Sequence, residues 1–440
     1  MKFKIKKIKN KEKKNWPKFA KIFFLAAAIF GAVIFAATKI WRTKILQKKA
    51  AEILFPELRQ NPDGKINLLL LGVAGKNEEG GHLSDTILVV SVDPKNSTAS
   101  FLSLPRDLFI SSKIGDRKIN EIYAAGRYKN RKNSDGGNLA GLQIIKDAVG
   151  NFIGKKIQYG AVINFKVFEE IIDEMGGIKI YVEEDIEDPF FPDDNYGYQT
   201  FVVRKGQRIF DGATALKYAR SRKTSSDYDR ARRQQDLLFA IRKKALEINL
   251  LTDPKKIKNF FSIFKKNINT DIKISEMLAF AKIFVKMNYE NSIFAVLNDD
   301  ETKKGGFLFA PAKDFFGGQF VLLPTDLKTA QQFFWLVLER PQILLENAQI
   351  SVLNGSKMSG RAAEIAADLR RLGLHVIEID NFDSPRPVVE TFLENITGKK
   401  NETFEFLQKY FEINPQKNSE KEKIFQPKNL IDIKIIIGIN

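Results

Sequence analysis

The chain of 440 residues has no cysteine and only two histidines, His82 and His375. The first absence removes thiol nucleophiles, CxxC redox pairs, cysteine zinc sites and disulfides. The second removes a histidine-rich metal centre and limits any Ser-His-Asp arrangement to one of two imidazoles. A metal, if held, is a hard cation such as magnesium on carboxylate oxygen. Acidic residues are scarce at the start. Residues 1–21 carry ten lysines against Glu12 alone, and so supply half of the net charge of +18. The remaining excess is spread too thinly to form a basic stripe, and nucleic acid is not expected as a partner. With 44% hydrophobic and 28% charged residues, the chain reads as folded and long enough for two or three domains.

One long uncharged run is present, Ile22 to Thr38, extended by Ile40 and Trp41. About 20 such residues span a bilayer core. Trp16 and Trp41 flank it as interfacial aromatics, and the lysine-rich side is expected to stay cytoplasmic. The competing reading, a cleaved signal peptide, lacks a small-x-small site after the run.

Beyond it, Ile66–Leu71 is a continuous apolar run ending at Gly72, as in a strand buried on both faces. Thr86–Val92 and Thr98–Leu104 flank the turn Asp93-Pro94-Lys95-Asn96 and predict a hairpin. Helical spacing follows over Asn138–Phe152, Phe165–Met175, Ala213–Tyr218 and Asp229–Asn249, with strands at Tyr159–Asn164 and Ile178–Val182 between them. Asp188–Tyr198 reads as a loop, and Gln319–Leu323 as a short strand. A second α/β unit begins near Gln349, with strands at Ile350–Leu353, His375–Ile379, Val388–Leu393 and Asp432–Ile437. The alternation predicts an α-β-α sandwich around a mixed sheet, plus a small C-terminal α/β domain.

The most informative stretch is Tyr218 to Gln235, with five arginines and two aspartates. Arginine does not deprotonate, so this is no acid–base device. Its planar fork suits phosphate oxygens. Arg220 and Arg222 point the same way in an extended segment, while Arg230, Arg233 and Gln234 share one helical face. On residues alone, a solvated basic face remains the alternative. Three smaller clusters accompany the run. Ser84-Asp85-Thr86 opens a buried strand, Leu104-Pro105-Arg106-Asp107 leaves another, and Lys118-Ile119-Asn120 starts a helix.

In order along the chain, these clusters, Ile163-Asn164-Phe165, Met175-Gly176-Gly177, Gly212–Leu216 and the arginine run resemble the motifs of LytR–CpsA–Psr proteins, bacterial envelope enzymes. Val352-Leu353-Asn354-Gly355-Ser356 resembles the LytR C-terminal domain. The resemblance implies a phosphotransferase that moves a glycopolymer with one phosphate from polyprenyl pyrophosphate to peptidoglycan and releases polyprenyl phosphate. It implies Arg106, Arg220, Arg222 and Arg230 on the pyrophosphate, Asp85 on magnesium and Gln234 at the head group. Arg233, Asp107 and Asp227 are further substrate-side candidates.

Two departures stand out. Val73-Ala74-Gly75 occupies the place where many family members carry a metal-binding aspartate, and Leu83 replaces an arginine before Ser84. They keep open a protein that binds or hydrolyses a prenyl pyrophosphate without glycan transfer. The expected plan is a cytoplasmic tail (1–21), a single transmembrane helix (22–41), a linker (42–64), a catalytic domain (65–345) and a C-terminal domain (346–440). In this plan residues after 41 lie outside a bacterial plasma membrane.

Overall fold

A computed structural model describes residues 58–75, 81–192, 197–221, 227–248, 250, 253–288, 291–413 and 431–439. The expected span at 22–41 lies outside the described residues, among which no helix is long and apolar enough to cross a membrane.

Strand β1 (Ile66–Val73) is central because its leucines alternate between two covered faces. It pairs antiparallel with β2 (Ser84–Asp93), which forms the expected hairpin with β3 (Thr98–Leu104). A two-stranded ribbon, β4 (Phe109–Ile110) with β5 (Arg117–Lys118), leads into helix α1 (Ile119–Lys129). Helix α2 (Asn138–Ile153) follows. Its N-cap, Gly137, sits at φ 80°, where a side chain would also strike the α1 backbone. Strand β6 (Tyr159–Asn164) then runs parallel to β1.

At the end of β6, Asn164 turns the chain into helix α3 (Phe165–Glu174), its side-chain Oδ1 accepting from Val167 N at 2.9 Å. Two ribbons project next: β7 (Ile178–Val182), then β8 (Ile186–Pro192) with β9 (Tyr198–Val203), then β10 (Gly206–Phe210) back on β7. The expected loop at Asp188–Tyr198 is therefore corrected, because both of its ends belong to the β8–β9 hairpin. Buried Ile186, Phe191, Phe201 and Val203 outweigh the turn-forming Pro and Asp, and Pro is tolerated in so short a ribbon. Helices α4 (Gly212–Arg220), capped by Asp211, and α5 (Asp227–Glu247) complete this lobe.

Helix α6 (Pro254–Asn267), strand β11 (Asn269–Thr270), helix α7 (Ile274–Lys286) and strand β12 (Ile293–Val296) close the main sheet, in the order β11-β6-β1-β2-β3-β12. Beyond it, β13 (Leu308–Phe309) and β14 (Leu323–Pro324) pair across a 3-10 turn at Lys313–Phe316. Most of the strand expected at Gln319–Leu323 does not form, since glycines 317 and 318 put the chain at positive φ just before it. Helices α8 (Leu327–Leu338) and α9 (Pro341–Leu345) lead into the C-terminal sheet. That sheet comprises β15 (Gln349–Asn354), β16 (His375–Asn381), β17 (Phe392–Asn395) and β18 (Ile433–Ile437), in the order β16-β15-β18-β17. It is packed by α10 (Arg361–Arg371) and α11 (Asn401–Tyr410). The strand expected at Val388–Leu393 starts later, at Phe392, where pairing with Ile436 begins.

One face of the main sheet, with Leu69, Leu71, Val89 and Leu102, packs on α1, α2 and α8 in a core that continues into β15, β18, α10 and α11. The other face, with Leu68, Leu70, Leu88 and Val90, meets α5 and α7. Where the chain enters the fold, Lys146, 3% exposed, bonds Asp271 at 2.5 Å, and Asp271 also accepts from Gly160 N at 2.8 Å. Arg59 lies over the Tyr159 ring at 3.9 Å, and the Tyr159 hydroxyl donates to Glu276 at 2.9 Å. Removing one member of a buried ion pair strands the other charge. Asp271→Ala should therefore cost about 3 kcal/mol in urea unfolding, and Lys146→Met clearly less, because Asp271 is less buried and keeps Gly160 N and Arg59. Equal costs would show that Lys146 is not held as a charge.

Candidate functional site

Between the second sheet face and the α4–α5 lobe lies a cavity of about 670 Å³. Its walls are apolar: Leu70, Leu71 and Leu88 from the sheet, Ile163, Phe165 and Phe168 from the β6–α3 junction, and Leu216, Leu237 and Leu238 from the helices. Phe190 and Tyr198, exposed and packed edge to face at 6.0 Å, line it from the β8–β9 hairpin. Its polar lining is small: Asp85, Thr86, Asn164, Asp188, Arg220 and Gln234.

Asp85 stands near the start of β2. There a bulge at Gly72/Val73 shifts the pairing, and Gly72 lets Thr86 approach closely. The Asp85 carboxylate accepts from Arg106 Nη1 at 2.8 Å. Arg106, 30% exposed, leaves the end of β3 and lies 3.6 Å from Asp107, which in turn pairs with Lys118 at 2.8 Å. Backbone bonds from Asn120 N to Arg106 O and from Ile119 N to Leu108 O fasten this turn to the start of α1. The motifs around 85, 106 and 118 are thus brought together as one charged row. Asp107, named from sequence as a substrate contact, is not part of the cavity lining and instead braces Arg106 and Lys118.

Arg220 ends α4 with its guanidinium 4.5 Å from the Phe165 ring and 5.4 Å from the Phe191 ring. Aromatic faces attract a cation and help to fix its direction. Gln234 faces the cavity, its side-chain nitrogen 3.5 Å from Ala219 O. Arg222 lies outside the described residues, and so do the side chains of Arg230 and Asp227, which belong to the first turn of α5.

Arg233 is placed differently from its expected role on the substrate. It is 7% exposed and donates from Nε to Tyr218 O at 3.1 Å and from Nη2 to Ser221 O. The helical-face argument grouped it with Gln234, but two carbonyls at the end of α4 take its fork. Beside it, Ser221 Oγ donates at 2.9 Å to Asp188, which is buried and lines the cavity. Sequence reading missed Asp188 because it counted as one more acid of a polar loop.

The family model described as the LytR_cpsA_psr family matches residues 32–313, well over half of the chain. The chain belongs to the LytR–CpsA–Psr family. A second model, described as LytR cell envelope-related transcriptional attenuator, matches residues 347–440 of this LytR–CpsA–Psr protein. It is 27% identical over 215 residues to the polyisoprenyl-teichoic acid–peptidoglycan teichoic acid transferase TagU of Bacillus licheniformis, covering 48% of this chain and 61% of that protein. It is 30% identical over 231 residues to the transferase of the same description, TagV, of Bacillus subtilis, covering 50% of this chain and 52% of TagV. The match thus spans between half and two thirds of these relatives. The crystal structure of Bacillus subtilis TagV is 24% identical and covers 63% of this chain and 99% of its own, with a TM-score of 0.47. TagT bound to LIIa-WTA is 23% identical, covering 64% and 94%, with a TM-score of 0.46.

Asp236, one turn beyond Arg233, is pushed up to about 6 by burial, with Glu183 adding to the rise and Arg232 and Arg233 opposing it. The folded state therefore holds this proton more tightly than the unfolded chain. Its contribution is most favourable in acid and is lost as pH rises from the ordinary carboxylate range through about 6. Asp236→Asn should stabilise this family member by about 1–2 kcal/mol at neutral pH, allowing for partial exposure, and by almost nothing near about pH 3. Thermal midpoints across that range check it, and a gain at low pH only would refute the sign.

Proposed function

We propose that the chain is a membrane-anchored phosphotransferase that attaches a glycopolymer, carried on polyprenyl pyrophosphate, to peptidoglycan and releases polyprenyl phosphate. One observation carries this reading: an apolar cavity whose few polar groups include a guanidinium packed against two aromatic rings, together with Asp85 of the Asp85–Arg106 pair. Such a cavity suits a ligand that is hydrocarbon along its length and doubly anionic at one end. The names of TagU and TagV support the same reading. The uncharged run at 22–41, behind ten lysines, supports a single span with the tail inside and the folded domains outside.

In the proposed reaction a peptidoglycan hydroxyl attacks the phosphorus that bears the glycan. The bond from that phosphorus to the bridging oxygen breaks, and the hydroxyl proton ends on polyprenyl phosphate or in solvent. Phosphoryl transfer needs positioning and neutralised charge rather than covalent help. Arg220 and Arg106 hold the pyrophosphate and meet charge on the leaving oxygen, and Arg222 and Arg230 are assigned to the same anion. Gln234 orients the head group. The Arg233 and Asp188–Ser221 contacts set the end of α4 from which Arg220 projects.

Among the described residues no three carboxylates or imidazoles gather as a protein-only metal cage. Of the two carboxylates that line the cavity, Asp188 accepts from Ser221, and so sparse a protein donor set fits magnesium, which takes most of its shell from phosphate oxygens and water. Asp85 would hold it, and the ion would add charge neutralisation at the pyrophosphate. The lack of a second carboxylate at Val73 and Ala74 favours, as the second reading, a protein that binds or hydrolyses the lipid without transfer.

The chain is tested with magnesium and a prenyl-pyrophosphate glycan, with and without peptidoglycan, following free prenyl phosphate and acceptor-bound sugar. Transfer is expected, and release without transfer selects the second reading. Arg220→Ala and Arg106→Ala should each lower the rate by about 100- to 1000-fold with the fold intact. Near-normal rates would remove the clamp from the mechanism.

A further inference from the structure

We propose that the segment from Phe309 to Phe320 is a docking platform for the sugar backbone of the acceptor peptidoglycan. Three phenylalanines stand out from it: Phe315 is 83% exposed, and Phe309 and Phe320 are 43% exposed each. None of them lines the cavity, so the lipid site does not account for them. Exposed apolar groups gathered in one short segment mark a contact surface more often than scattered single ones do.

The segment is built to hold these rings in place. Phe315 N bonds Ala312 O, Gly318 N bonds Lys313 O and Gln319 N bonds Phe316 O, which closes the 3-10 turn on itself. Gly317 and Gly318 adopt φ of 61° and 82°, so the chain reverses sharply after Phe316. The Phe316 ring packs edge to face on Phe109 at 5.1 Å and anchors the turn from below. At its root, Leu322 N donates to Asp107 O and Phe109 N to Leu322 O, both at 2.9 Å. The root of the platform is therefore fastened to Asp107, the residue next to Arg106.

Its chemistry favours sugar over lipid. Lys313, Asp314 and Gln319 are exposed among the rings and offer donors and acceptors to hydroxyls. The negative face of an aromatic ring accepts the polarised C–H bonds of a pyranose face. A membrane-inserting tip would carry both Lys313 and Asp314 into the headgroups next to its most exposed ring, which their desolvation opposes.

The inference rests on the transferase reading for the identity of the acceptor, and its test needs no turnover. The full chain is co-sedimented with purified peptidoglycan sacculi. The Phe309→Ala/Phe315→Ala double variant should bind about tenfold more weakly, while Phe315→Trp keeps binding and Phe315→Leu does not. Prenyl-pyrophosphate binding by the double variant should stay within about twofold of the parent. No sedimentation of the parent, or equal sedimentation of the double variant, overturns the platform. The F315W chain is also reconstituted in phosphatidylglycerol–phosphatidylethanolamine vesicles with brominated acyl chains. Extra quenching relative to the parent would make the segment a membrane contact and overturn the proposal. A blue shift on adding soluble glycan fragments supports it. Failure of the parent to bind prenyl pyrophosphate would sink the transferase reading and leave the sedimentation result to stand by itself.

Discussion

Strand β1 carries leucines on both sides, and the molecule follows from having to cover both. On one side the cover is a filled core of α1, α2 and α8 around Leu69 and Leu71. On the other, around Leu70 and Leu88, the cover is incomplete, because α4 and the β8–β9 hairpin stand off and leave a cavity. A void with such walls stabilises nothing by itself, since its lining loses packing partners. An apolar ligand restores those contacts. The same strand ends at the bulge that brings Asp85 to the polar part of that space, so ligand volume and ligand charge are set by one element.

The cations divide their work by what surrounds them. Arg220 lies against two rings and lines the cavity, while Arg106 lies against the carboxylate of Asp85. Arg233, from the same sequence run, is consumed by backbone carbonyls. A fork with five donors can serve an anion or close the end of a helix, and burial selects the second use. Among its described side chains, Arg220 lines the cavity and Arg233 serves as scaffold.

Much of this was legible in the sequence. Continuous apolar runs marked β1 and β2, the Asp93–Asn96 turn marked the hairpin, and the order of the short motifs located the charged row. Three things were not. Arg233 and Gln234 are adjacent and both polar, and only packing separates scaffold from ligand contact. Asp188 sits among prolines and acids that mimic a loop, while its role comes from Ser221, 33 residues away. The Phe309–Phe320 segment reads as ordinary apolar chain, because which phenylalanines face outward depends on a 3-10 turn and two left-handed glycines.

The core that begins on β1 does not stop at the C-terminal sheet. Leu336 and Val337 of α8 and Ile343 of α9 belong to the same buried cluster as Ile350, Val352, Ile433 and Leu407. Gly305 N donates across the seam to Arg371 O at 2.9 Å. The described strands and helices of the C-terminal sheet thus cover hydrophobic surface as well as forming a module in their own right. A chain ending near residue 345 would present that surface to water, so the portion before it cannot be had in isolation without replacing the apolar cover its neighbour provides.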